Sequence, residues 1–262
     1  MRGDLLLPDP GDADPAASGA SVACPRCGHS RERYTVDLPL GLGRRSWTAD
    51  CPCEAKRRAA EAEARRQQER ADRVRRLLRD SGIGPRHREA TFETFAVTPA
   101  SQPIVAVCRA FVEAFPDDGR GLTLSGGPGT GKTHLGVAIT RALIERGHAA
   151  VIANVPRMFL TFRAALGSDH GSRLDEALEL LMRCDHLLLD DLGRERPTEW
   201  VQETLYVVLD ARYAHRRATS ATTNLGPEAL GRRVGEPLLD RLAETNRAYW
   251  CQWPSYRKGI AS

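Results

Sequence analysis

The chain has 262 residues, with 38 Lys and Arg against 34 Asp and Glu and a formal net charge of +4. That length supports one large domain or two unequal ones with a real core, and the clustering of the arginines, more telling than the mild basic excess, hints at an acidic partner. No apolar run approaches the roughly 18 residues that cross a bilayer, and Pro8, Asp9 and Pro10 break the Leu5–Leu7 run before a signal-peptide core forms. The expectation is a cytoplasmic protein without membrane contact, in whose reducing surroundings the seven cysteines are not disulfides.

Residues 1–20 are rich in Asp, Pro, Gly and Ala and read as a disordered tail. Cys24 and Cys27 follow, then Cys51 and Cys53 after a gap of 23 residues. Two close pairs supply the four thiolates of a structural tetrahedral zinc site, so residues 21–53 read as a zinc-binding module. Tyr34–Val36 and Ser46–Thr48 suit a hairpin around a turn at Gly41–Gly43. So few apolar residues cannot hold a fold alone, whereas metal binding supplies about 10 kcal/mol or more in zinc-finger peptides. Two alternatives stay open: His29 as a substitute ligand, and an iron–sulfur cluster as the occupant.

From Glu54 to Asp80 ten basic residues face six acidic ones around a thin apolar stripe of Val74, Leu77 and Leu78. This predicts a helix, either a solvated connector or a docking surface for protein or nucleic acid. Ser81–Pro85 breaks it, which sets residues 54–85 as charged helix and linker and 86–262 as the main domain. Arg86–Phe95, with Phe92 and Phe95, reads as an anchoring segment, and Ile104–Phe115 as an amphipathic helix.

Gly121–Ser125 reads as a buried strand running into Gly126, Gly127, Pro128, Gly129, Thr130, Gly131, Lys132 and Thr133. That octet fits Gly-x-x-x-x-Gly-Lys-[Ser/Thr], the phosphate-binding loop, whose glycines turn backbone N–H groups inward. Lys132 would reach the β- and γ-phosphates and the Thr133 hydroxyl would ligate Mg2+. A helix from Thr133 to Arg146, stopped by Gly147, places its positive N-terminal end beneath the phosphates. The expected ligand is a nucleotide.

Ala149–Val155 reads as a strand, Pro156 as the start of a helix carrying Met158, Phe159, Phe162 and Leu166, and Leu174–Cys184 as another helix. His186–Leu189 is an apolar strand ending in Asp190, expected to hold Mg2+, and Asp191, expected to orient or deprotonate the attacking water. After a helix at Glu199–Arg212, the strand Ala218–Asn224 ends where Asn224 could contact the γ-phosphate or that water. A helix including Leu238, Leu239 and Leu242 and a strand at Ala248–Trp253 close the series, with Cys108, Cys184 and Cys251 as buried small hydrophobes.

These motifs together resemble the AAA+ ATPases of the DnaC/DnaI-type replicative helicase loaders, with the IstB-type transposition ATPases as close relatives. The resemblance rests on Arg86–Phe95, the phosphate loop, Leu188–Gly193, Thr222–Asn224, Gly235–Leu242 and Trp253–Arg257, and the front cysteines look like the helicase-docking domain of the DnaI branch. It implies an α/β AAA+ domain with a central parallel five-stranded sheet and little or no C-terminal lid, behind a small zinc-binding domain and a charged helix. It further implies that Asn224 is a first sensor, Arg257 a second sensor, and Arg241 an arginine finger reaching a neighbouring subunit's ATP. Such a finger is worth roughly 10³–10⁵ in rate in related hydrolases. The acidic pair departs from the common Asp-Glu by carrying Asp191.

The function implied is an ATP-dependent loader, using ATP, Mg2+ and Zn2+, that grips the hexameric replicative helicase, self-associates and places the ring on single-stranded DNA. In that family the helix after the second strand lines the DNA path, here with Arg157, Phe159 and Arg163; cations would track phosphates and aromatics stack on bases. The rivals are an IstB-type transposition helper and a zinc-anchored nucleic-acid adaptor using ATP as a switch. A small-molecule P-loop kinase fits least, since nothing reads as an arginine-rich acceptor lid.

Overall fold

The computed structural model describes residues 21–37, 43–116, 118–166 and 171–256. The expected tail at 1–20, most of the expected hairpin turn at Gly41–Gly43, and Arg257 lie outside the described residues. By packing, the chain forms two compact units, Met1–Glu69 and Arg70–Ser262.

In the first unit β1 (Ser21–Ala23), β2 (Ser30–Asp37) and β3 (Arg44–Thr48) form an antiparallel sheet in that order. Tyr34 pairs with Trp47 across β2 and β3, their rings stacked 5.8 Å apart. Cross-strand aromatic pairs of this kind stabilise a small sheet by up to about 1 kcal/mol. β1 has too few residues for a periodic signal and was not expected. The long helix α1 (Pro52–Asp80) begins inside the second cysteine pair, with Pro52 in its first turn where a missing N–H does no harm. No residue of α1 is buried. Its first half is laced by Arg57–Glu61, Arg65–Glu69 and Arg66–Glu63 ion pairs, exposed contacts that contribute about 0.3–0.5 kcal/mol each.

In the second unit the last turns of α1 lay Val74, Leu77 and Leu78 against a core. Ser81 then accepts a backbone hydrogen bond from Ile152 N–H (2.7 Å), and Gly82, at φ +78°, passes so close that a Cβ would sit 2.3 Å from the Ile152 carbonyl oxygen. Glycine is required there on both counts. The unit continues through α2 (Gln102–Ala114), β4 (Gly121–Gly126), α3 (Lys132–Glu145), β5 (Ala150–Asn154), α4 (Val155–Leu166), α5 (Gly171–Arg183) and β6 (His186–Asp190). It ends with α6 (Glu199–Ala214), β7 (Ala218–Thr223), α7 (Pro227–Val234), α8 (Glu236–Thr245) and β8 (Asn246–Cys251).

The five strands are parallel, in the order β5-β6-β7-β4-β8. Helices cover both faces, so the inner strands are buried throughout: β6 is an apolar run, whereas the central β7 is built of small Ala, Ser and Thr. Val151, Leu187 and Leu189 join one core with Phe159, Leu205 and Leu238; Leu122, Leu124 and Ala150 join the other with Phe111, Leu135 and Ile139. Parallel strands bring all their carboxyl ends to one edge, where such sheets bind ligands.

The structure sharpens or corrects the sequence reading at four places. Phe159 and Phe162 are buried, with Phe159 edge-on to Trp200 at 5.5 Å, so of the two readings open to Phe159 the structure takes core packing and not base stacking. The last strand starts at Asn246 and ends at Cys251, leaving Trp253 free of it. α7 was missed because its eight residues give barely two turns of pattern. Arg212, expected at a helix end, is fully buried: it donates to the Leu181 and Cys184 carbonyls (2.7 and 2.8 Å) and to Thr219 Oγ1 (2.8 Å), closing the carboxyl end of α5.

Candidate nucleotide site and cysteine centre

β4 runs into the phosphate loop at Gly126 and the chain re-enters a helix at Lys132. Lys132 is buried and folded back, its Nζ donating to the Gly126 and Gly127 carbonyls at 2.8 and 2.7 Å. The loop is held from outside. Trp253 Nε1 donates to the Thr130 carbonyl (2.8 Å) and Tyr256 N–H to that of Gly129 (3.0 Å). A Cβ on Gly131, which sits at φ +86°, would lie 2.6 Å from the Phe95 ring. These supports were not foreseen; the Trp-Pro pair directly after a strand was the available signal.

Asp190 ends β6 and is 5% exposed. A buried carboxylate needs donors, and it has three: Thr133 Oγ1 (2.8 Å), Thr222 Oγ1 (2.7 Å) and Asn154 Nδ2 (3.2 Å). The Thr133 contact brings together the two side chains expected to share Mg2+, an oxygen pair suited to a hard cation. Successive strand residues point to opposite faces, yet Asp191 follows Asp190 into the same site. It does so by turning left-handed at φ +58°, a conformation that Asp tolerates better than most residues. Its N–H donates to Thr222 Oγ1 (3.0 Å), and its carboxylate lies 3.5 Å from Asn154 Nδ2 and 3.7 Å from Arg194. Asn154 was not singled out by sequence, since it reads as an ordinary strand-end polar residue, and Thr222 was named only within the Thr222–Asn224 motif, without a role of its own.

A cavity of about 1040 Å³ opens over these groups. Lys132, Thr133, Asp191, Arg194 and Asn224 line one part; Arg86, His87, Phe95 and Pro99 line another, beside Trp253. The structure thus brings Asn224 to the phosphate loop, and the segment read as a mere anchor forms a cavity wall. Arg241 stays away from this cavity: on α8 it pairs with Asp210 at 3.1 Å and lies 4.3 Å over the Tyr213 ring.

In the first unit the four cysteine sulfurs lie within 4.8 Å of one another, with Cys24–Cys53 at 3.6 Å and Cys27–Cys51 at 3.3 Å. Zn–S bonds of about 2.3 Å put tetrahedral sulfurs about 3.8 Å apart, so the set fits a zinc ion. The exposed His29 lies outside the cluster and is not needed as a ligand. Backbone N–H groups of Arg26 and Cys27 draw the Cys24 thiol down to about 6, while the hydrogen bonds that Cys53 donates to Cys51 and Cys27 push its own thiol up to about 12. Four adjacent sulfurs cannot all ionise without a cation; a bound metal ion removes that conflict.

The profile of the IstB-like ATP-binding proteins matches residues 59–259. The chain belongs to this family. Its relatives include the uncharacterised protein YdaV of Escherichia coli K12, 31% identical over 196 residues, which span 74% of this chain and 78% of YdaV. The replicative helicase loader DnaC of the same strain is 28% identical over 205 residues, 77% of this chain and 83% of DnaC. The crystal structure of the DnaC helicase loader superposes with a TM-score of 0.58 at 26% identity, covering 64% of this chain and 99% of that one. The IstB-like match takes in every element of the nucleotide site and begins after Cys53. The family is ATP-binding, which implies a nucleotide and Mg2+, and the loop geometry agrees with that. No helix among the described residues is long and apolar enough to cross a membrane.

Proposed function

We propose that this protein is an ATP-hydrolysing loader that binds a hexameric replicative helicase in the cytoplasm and helps place it on single-stranded DNA. The observation carrying this reading is the Thr133–Asp190 contact beside Lys132, set in a chain similar to DnaC over most of its length. Mg2+ would neutralise charge on the transferring phosphate and be held by Thr133 and Asp190. Lys132 would leave the loop carbonyls for the β- and γ-phosphates. Asp191 would take the proton of the attacking water and Asn224 would orient it. Arg241 would act on a neighbouring subunit's ATP after leaving Asp210, so that hydrolysis depends on self-association, and Arg257 would serve as second sensor. Cys24, Cys27, Cys51 and Cys53 would hold zinc in the module that docks on the helicase. On α4 the exposed Arg157 and Arg163 would follow DNA phosphates without any aromatic stacking from Phe159.

The test is size-exclusion chromatography with light scattering of this protein mixed with its host's replicative helicase, with and without ATP. A stable complex is expected. Failure to form one under any nucleotide condition moves the reading to a transposition helper, which the IstB-like family match favours, and a transposase becomes the partner to test.

A further inference from the structure

The first turn of α3 presents three successive polar side chains, and successive residues on a helix fan out by about 100° each. Lys132 and Thr133 face the phosphate loop and Asp190. His134 points to the other flank, where its Nε2 lies 2.8 Å from the Thr91 carbonyl oxygen and 3.3 Å from Thr94 Oγ1. A carbonyl only accepts, so Nε2 carries the proton and donates to both.

The segment it holds is a tight turn. Thr91 N–H donates to Thr94 Oγ1 (2.9 Å), Thr94 N–H to Thr91 Oγ1 (3.2 Å), and Thr94 Oγ1 to the Glu89 carbonyl (2.8 Å). Phe92 pins one side of the turn in the core. On the other side Phe95 lies edge-on to the His134 ring at 5.3 Å and packs on Gly131, and the chain continues as a wall of the cavity. The ring therefore joins the phosphate-binding helix to the Thr94–Phe95 wall of the same cavity, which His134 also lines.

We propose that His134 is a positioning residue for the base side of the nucleotide: by tying Thr91 and Thr94 to α3 it holds the Phe95 wall in the place where the purine and ribose bind. This deepens the nucleotide reading above and rests on it. His134 Nε2 bonds Thr91 and Thr94 and not the phosphate ligands Lys132 and Thr133, so its loss loosens the wall and, through Phe95 on Gly131, disturbs the phosphate loop less than the base side. A nucleotide must then order the segment itself, which weakens binding of any ligand that carries a base.

The test is calorimetric titration of the full-length protein, with Mg2+, by ATP and by inorganic tripolyphosphate, which has the phosphates but no base. His134→Ala is expected to weaken ATP by about tenfold while changing tripolyphosphate by less than about twofold, the scale of one or two lost hydrogen bonds. His134→Gln, whose amide can still donate to Thr91, is expected to restore ATP binding. Thr94→Val provides a second route to the same selective loss should His134→Ala fold poorly. If the wild-type protein binds neither ligand, the nucleotide reading falls and this one with it. If it binds both, then an unchanged ATP affinity in the Ala variant, a parallel loss for both ligands, or a Gln variant no better than Ala overturns the proposal alone.

Discussion

The cysteine centre and the phosphate loop are both compact clusters of ligating groups, but they are held in place by opposite means. Around Cys24, Cys27, Cys51 and Cys53 stands a three-stranded sheet whose strands have half-buried and exposed residues, and a helix with none buried. Around Lys132 and Asp190 stand two apolar cores, a parallel sheet and outside braces from Trp253, Tyr256 and Phe95. One site would create its scaffold by binding a metal; the other sits in a scaffold held by its own apolar cores and braces. The difference teaches that similar clustering of ligands can mean folding energy in one place and preorganisation in another.

The sharpest way to break this contrast is metal removal. Cys51→Ser, or a chelator, is expected to unfold residues 21–53 completely, since about 10 kcal/mol or more of metal binding is lost, while the sheet of the second unit stays folded. Metal analysis with limited proteolysis checks it, and a metal-free chain with an intact first unit would erase the contrast. Next in size is Arg212→Met, which leaves the Leu181 and Cys184 carbonyls without their buried donor. A loss of about 3 kcal/mol in the second unit is expected in denaturant melts, with zinc content unchanged.

Lys132→Ala is expected to weaken ATP by about 100-fold, the scale of lost charge-assisted bonds to phosphate, with the melting temperature held. Titration calorimetry with a thermal melt reads both; a fall in stability to match the affinity would mean the loop is not preorganised.

The smallest effect concerns acid. His186 is fully buried, its Nε2 on Ser220 Oγ at 2.9 Å, and burial pulls it down to about 3. The folded state thus keeps it neutral while the unfolded chain takes up a proton below about 6.5. Stability should therefore be full above pH 6.5 and fall as pH drops toward 3, by about 2 kcal/mol between pH 7 and pH 5 from this group. Denaturant melts of the wild type and His186→Asn across that range should show the slope reduced in the variant.

Much was legible in the linear order of residues. The glycine octet, Asp190 at the end of an apolar strand and the paired cysteines are local patterns, each set by backbone or ligand chemistry within a few residues, and the fold brings the members of each cluster together. Helices and strands with long apolar faces, such as Glu199–Ala214 and His186–Asp190, were legible for the same reason. Short elements were not: β1 and α7 have too few residues for a period to emerge. Phe159 was legible as core from its place on an amphipathic helix, whereas its edge-on contact with Trp200 was not, because that partner lies on another helix 41 positions away.

What the sequence determined alone was therefore the inventory: a parallel α/β domain, a loop that accepts phosphates, an acidic strand end and four thiols. Only the tertiary structure decided how these meet. It set Thr133 2.8 Å from Asp190, 57 positions away, put Trp253 on Thr130 across 123 positions, and drew Asn154 and His134 into the site's support. The physical reason is range. Turn chemistry and periodicity act over a few residues, whereas strand order and helix packing join parts of the chain that no local pattern connects.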